Sequence, residues 1–133
     1  MGNPAATLTS SVQAVDVHLV MVPTPGGPVP TPLPHPFAGQ ITGGTCPTVT
    51  VGGNPVATRN STATNSPPHL PTPPGTMFQT PPGNRGTVML ASVTVMAGGN
   101  GVARLGDPVL TCNDPADAPA GSIVNGVPTV GVG

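Results

Sequence analysis

Hydrophobic residues in this chain recur every second position over short stretches and never with a helical period. "SVQAVDVHLVMV" (11–22) alternates Val15, Val17 and Leu19 against Asp16 and His18, then turns apolar throughout. Alternation of that kind predicts a half-buried strand. "PTVTVGG" (47–53) and "TVMLASVTVMAGG" (87–99) read as Val/Thr strands that stop at paired glycines, and "GVPTVGVG" (126–133) has the same character. Proline and glycine are spread too evenly to permit a long helix. The expected class is all-β, a small single domain over 1–133 built from short stacked hairpins.

The strands look like copies of one unit. Pro47-Thr48-Val49-Thr50-Val51-Gly52-Gly53-Asn54-Pro55-Val56-Ala57 aligns with Ala91 to Val95 and then, after Met96-Ala97, with Gly98 to Ala103. "PTVGVG" (128–133) is a third, truncated copy. A strand, a glycine turn and a return strand make a hairpin, and repeated hairpins point to a small β-solenoid or wrapped β-structure. Between them lie two proline-rich segments, 23–36 and 66–83, each with one His beside Pro and a downstream Phe. Seven prolines in "PTPGGPVPTPLPHPF" (23–37) argue against a helix or a central strand. Both segments are read as stiffened loops, because Pro narrows the unfolded ensemble that a loop gives up on folding.

Composition sharpens this picture. The 133 residues include 21 Pro and 19 Gly, and only Phe37 and Phe78 are aromatic. A core so poor in large side chains needs a disulfide, a metal or a partner to stabilise it. With three Arg, four Asp and a formal charge of −1, the chain lacks both the high charge of a disordered linker and the basic surface of a nucleic-acid binder. "MGNPAATLTSS" has no basic and apolar leader pattern, so no secretory signal is expected. Cys46 and Cys112 could form one disulfide, although a chain made in the cytoplasm would keep both thiols reduced.

The candidate chemistry is metal binding. No Gly-x-Ser-x-Gly elbow and no obvious carboxylate pair are present, so a non-enzymatic role is expected. The three His and two Cys remain. Zn²⁺ accepts four N or S ligands, and His18, His35, His69 and Cys112 would form an acceptable closed set. Their spacings match no finger or ribbon, and three separate surface imidazoles are the alternative.

"GNGVARLGDPVLTC" (99–112) resembles the hallmark segment of PAAR proteins, in which Pro-Ala-Ala-Arg is followed by Gly-Asp and then Cys. Gly101-Val102-Ala103-Arg104-Leu105-Gly106-Asp107 fits with Gly and Val at the first two motif positions. Pro55-Val56-Ala57-Thr58-Arg59 resembles a looser second copy, and Asn3-Pro4-Ala5-Ala6-Thr7 a remnant of another. "VDVH" (15–18) is similar to the family's Asp-x-His segment, "PLPH" (32–35) to its Pro-His loop, and "PTVTVGG" and "PTVGVG" to its Pro-Thr-Val strands.

The resemblance implies a cone of short hairpins. Its base would dock on a trimeric β-helical spike, and its apex would be sharpened by one structural Zn²⁺ or another transition metal such as Fe. Such tips cap type VI secretion spikes, phage tails and extracellular contractile injection systems, and are made in the cytoplasm before assembly and delivery. The implied partners are the spike trimer, effector cargo and, transiently, the target membrane, with no nucleic acid. His18, His35 and Cys112 fall on the ligand positions of the family's three-His, one-Cys set. No His follows Cys112, so His69 would complete the set, with Cys46 as its substitute. The divergence favours the phage-tail or injection-system branch, with no appended toxin domain. The competing readings are a proline-rich adaptor that binds partners through PPII segments and a metal-dependent hydrolase, whose zinc would keep an open position.

Overall fold

Every regular element among residues 2–133, the part of the chain described by the computed structural model, is a β-strand. In chain order the strands are β1 (Asn3–Ala5), β2 (Ser11–Val22), β3 (Val29–Gly43), β4 (Cys46–Val51), β5 (Asn54–Val56), β6 (Thr62–Asn65) and β7 (Met77–Phe78). They continue as β8 (Arg85–Val88), β9 (Met96–Ala97), β10 (Asn100–Gly101), β11 (Pro108–Thr111), β12 (Ala118–Ile123) and β13 (Val127–Val132).

Six of them, β2, β3, β6, β8, β11 and β12, close into an antiparallel barrel, because β12 returns to pair with β2 at Ser122–Gln13 and Ile123–Val12. Closure leaves no free edge in this sheet except where β2 and β3 run on past their neighbours. Apart from β7, which pairs with β2, the other strands form three small hairpins. Two are local: β4–β5 turns at Gly52-Gly53 and β9–β10 at Gly98-Gly99. The third is made by the two ends of the described chain, with Asn3 opposite Val132 and Pro4 opposite Gly131.

These hairpins are related by a pseudo-three-fold axis that can be read directly from backbone hydrogen bonds. The Ala6 N–H donates to the Ala103 carbonyl, Ala103 to Ala57, and Ala57 back to Ala6, each at 2.9 Å. A second ring of bonds runs in the opposite sense: Leu8 to Pro55, Arg59 to Gly101 and Leu105 to Pro4. The turns that follow are also equivalent. The N–H groups of Thr7, Thr58 and Arg104 donate to side-chain oxygens of Ser10, Ser61 and Asp107. A residue with positive φ sits at the same place in each, Thr9 (75°), Asn60 (75°) and Gly106 (90°). The segments at 3–10, 54–61 and 100–107 are therefore three copies of one motif. Each leads into one barrel hairpin: β2–β3, β6–β8 and β11–β12.

The core follows the axis. Ala6, Ala57 and Ala103 are fully buried, and above them pack Ile41, Val88 and Ile123 with Val12, Ala63 and Val109. Phe37 supplies the one large ring of this cluster. It fits because its neighbours lack side chains: a Cβ on Gly39 would lie 2.9 Å from the ring and 2.4 Å from the Thr64 carbonyl oxygen. A smaller cluster, with Cys46, Val56, Ala97, Val102 and Val132, holds the base hairpins together.

Three readings of the sequence need correction. The segment 23–36 is a strand from Val29 onward, not a loop. Pro30, Pro32, Pro34 and Pro36 occupy every second position, all exposed, opposite Met21, Leu19, Val17 and Val15. With that spacing every missing N–H falls on the side facing away from β2, where no ladder bond is lost, and this is where edge strands tolerate Pro. The second proline-rich segment, 66–83, is the loop expected, with only the two-residue β7 inside it, pairing Val20 and Met21. The strand expected over 87–99 is interrupted, since only Arg85–Val88 and Met96–Ala97 pair. Finally, the repeat needs no gap. The glycine turns superpose in φ, 60° and 85° against 59° and 84°, so Thr48-Val49 corresponds to Thr94-Val95.

Candidate metal centre

The alternation in β2 is inverted relative to a simple apolar core. Val15 is 60% exposed, whereas Asp16 and His18 are buried at 0% and 1%. Residues at i and i+2 share a face, so the Asp-x-His pair points together into the barrel. His18 lies six residues along β2 from core residue Val12, roughly 20 Å at the usual strand rise, and so stands at the end away from the base.

All three barrel hairpins send residues to this place. β2 brings Asp16 and His18, and β3 brings His35. The long connection between β6 and β8 brings His69, and the end of β11 brings Cys112. The ring centroids of His18, His35 and His69 lie 5.1–5.6 Å apart, and Phe78 covers His18 and His35 at 5.8 and 5.3 Å. One ligand atom from each of Asp16, His18, His69 and Cys112 falls within 4.8 Å of all the others, and all four residues are buried. Zinc–ligand bonds of about 2.0–2.3 Å separate two ligands by at most about 4.6 Å. This quartet is therefore close to the size of one coordination sphere.

Asp16 is the hub. Its Oδ1 accepts hydrogen bonds from Thr111 Oγ1 (2.6 Å) and Asn113 Nδ2 (3.3 Å). Its Oδ2 accepts from His69 Nε2 (2.9 Å) and the Cys112 thiol (3.4 Å). Burial, followed by the neighbouring Asp16 carboxylate, pushes the Cys112 thiol up from 9.0 to about 11. The thiol thus holds its proton at neutral pH, and a metal would have to displace it, which couples uptake to proton release.

His18 is the unsatisfied member. Neither ring nitrogen has a hydrogen-bond partner although the residue is buried, an arrangement that is costly unless something else completes it. An orphaned imidazole beside a thiol, a carboxylate and a second imidazole is a donor set suited to Zn²⁺.

His35 stands apart chemically. Its Nδ1–H donates to the Leu33 carbonyl at 2.8 Å, and its Nε2 accepts the Thr72 N–H at 3.1 Å. Both nitrogens are engaged, which locks the ring between β3 and the 66–83 loop. Burial outweighs its other influences and lowers its pKa. Of the four ligands expected from the sequence, three fall in the quartet and His35 packs against it. The fourth member, Asp16, was not among them. The signal for it was the Asp-x-His spacing on a predicted strand, which places both side chains on one face. Cys46 lies in the other core cluster with its Sγ 3.2 Å from Thr48 Oγ1, and both cysteines are free. A surface depression of about 370 Å³ lined by His35, His69, Leu70 and Thr72 opens beside the centre.

No family model, curated protein or solved structure matches the chain.

Proposed function

We propose that the protein is a structural tip: a metal-stabilised cap that seats its pseudo-three-fold base on the end of a trimeric spike, as the resemblance to PAAR proteins implies. The observation that carries this reading is the closed ring of backbone hydrogen bonds through Ala6, Ala57 and Ala103. A single chain has no reason of its own to be three-fold, but one that caps a homotrimer must offer three like faces. The base does so. Val49, Val95 and Val130 occupy equivalent places in the three hairpins and are exposed to the same degree, 39%, 40% and 37%. The outer edges of β4, β9 and β13 are unpaired, ready to continue a β-helix by strand addition.

The other end suits puncture. One ion held by Asp16, His18, His69 and Cys112 would tie together the ends of all three barrel hairpins, so that none can splay under load. The β2–β3 hairpin presents Val15, Val17 and alternate prolines outward, and between residues 17 and 36 it carries no charged side chain. Transient passage through a membrane is easier for such a surface, since a charge at mid-bilayer costs about 2.5–3.5 kcal/mol. The adaptor alternative needs free PPII segments; residues 29–36 are committed to a sheet, which leaves it only the 66–83 loop.

The test is binding to purified trimeric β-helical spikes of contractile injection systems, with Val49→Arg, Val95→Arg and Val130→Arg made singly and together. Exposed positions tolerate substitution within about 0.5 kcal/mol of stability, so folding should be unchanged. A charge buried against an apolar spike end should weaken docking at least tenfold per site, and the triple variant should not bind. Wild-type binding by the triple variant would rule out this face.

A further inference from the structure

We infer that Asp114 is the positioning residue of the metal centre, a carboxylate that fixes which nitrogen of His18 faces the ion. The inference rests on the metal-centre reading above. Asp114 follows β11 and is bound twice to the strand that carries His18. Its backbone N–H donates to the Val17 carbonyl at 2.8 Å, and its Oδ2 accepts the Leu19 N–H at 2.8 Å. Asn113 adds a third tie, accepting the Val17 N–H on its Oδ1 at 2.7 Å. These bonds bracket His18 on both sides.

The same Asp114 Oδ2 stands 3.4 Å from His18 Nδ1, and its side chain is 14% exposed. Asp114 is not in the quartet of candidate ligands. At 3.4 Å the pair is an approach and not a hydrogen bond; with an ion on Nε2, this carboxylate would be the outer acceptor for Nδ1–H. Metal-bound imidazoles commonly donate their other N–H to a carboxylate, which sets tautomer and ring orientation and raises ligand basicity. His18 needs such a partner more than its neighbours do, because His35 is fixed by Leu33 and Thr72 while His18 has no hydrogen bond from either nitrogen.

Asp114→Asn separates positioning from scaffolding, since an amide oxygen can still accept the Leu19 N–H but carries no charge. Zn²⁺ affinity would be measured by chelator competition for the full chain and this variant. Amide exchange at Leu19 would be followed alongside, and ¹⁵N imidazole shifts would report the His18 tautomer. The expected result is a 10–100-fold loss of Zn²⁺ affinity, unchanged Leu19 protection, and a His18 Nδ1–H, Nε2-metal signature in the wild type that weakens in the variant. Wild-type affinity in Asp114→Asn would overturn the inference, as would an affinity loss accompanied by equal loss of Leu19 protection. If the wild-type chain itself takes up no Zn²⁺, the metal-centre reading fails as well, and the wild-type titration alone reveals it.

Discussion

His18→Ala should empty the candidate centre of metal and lower the thermal midpoint well beyond an ordinary core truncation. The side chain is buried and makes no hydrogen bond, its nearest charged group being the Asp114 carboxylate 3.4 Å from Nδ1, so its removal deletes a candidate ligand rather than a hydrogen bond within the protein. A structural Zn²⁺ can supply an apparent 10–16 kcal/mol to a small domain, comparable with a whole domain's stability. The effect should be large here because the chain offers little else at that end: Phe37 and Phe78 are its only aromatics. Metal content by elemental analysis and calorimetry of each variant provide the check. One equivalent is expected in the wild type and none in His18→Ala, Asp16→Ala, His69→Ala or Cys112→Ala. His35→Ala should keep its metal, since both His35 nitrogens are committed to Leu33 and Thr72. Metal lost in His35→Ala and kept in Asp16→Ala would restore the three-His, one-Cys set.

The second large effect belongs to the axis. Ala57 is fully buried, donates to Ala6 and accepts from Ala103, both at 2.9 Å. Leu at this position would add three carbons where three alanines converge. Overpacking a core costs about 1–3 kcal/mol. Relief by backbone movement would break a bond of the ring, at about 0.5–1.5 kcal/mol. Ala57→Leu should therefore lower the midpoint by roughly 10 °C, while Ala120→Leu, at an exposed site, should leave it nearly unchanged. Equal midpoints would mean that the ring is not a structural constraint.

Much of this arrangement was legible in the sequence, although not all for the right reason. The motif at 100–107 could be found because its turn demands particular chemistry. Residue 106 must tolerate positive φ, and residue 107 must cap Arg104. Its copies at 3–10 and 54–61 were fainter because Ser10 and Ser61 perform the capping with a hydroxyl in place of a carboxylate. The proline strand was misread because counting prolines hides their spacing. At every second residue they leave one ladder intact, and 29–36 needs only one. Barrel closure could not be read at all, since it depends on β12 meeting β2, with Ser122 opposite Gln13 and Ile123 opposite Val12 far apart in sequence, and has no local signature. Asp16 was missed because ligands were sought among His and Cys alone, although it shares a strand face with His18. Here the valines face out, and the buried polar face lines the cluster that could hold a metal ion.

The most direct test of the central claim is the mass of the complex formed with a purified trimeric spike, measured by native mass spectrometry. Three unlike segments of one chain supply three like faces, so a single 12.9 kDa chain should saturate each trimer and add one equivalent of metal. Three chains per trimer, or no complex with any trimeric spike while the fold and metal are intact, would contradict it.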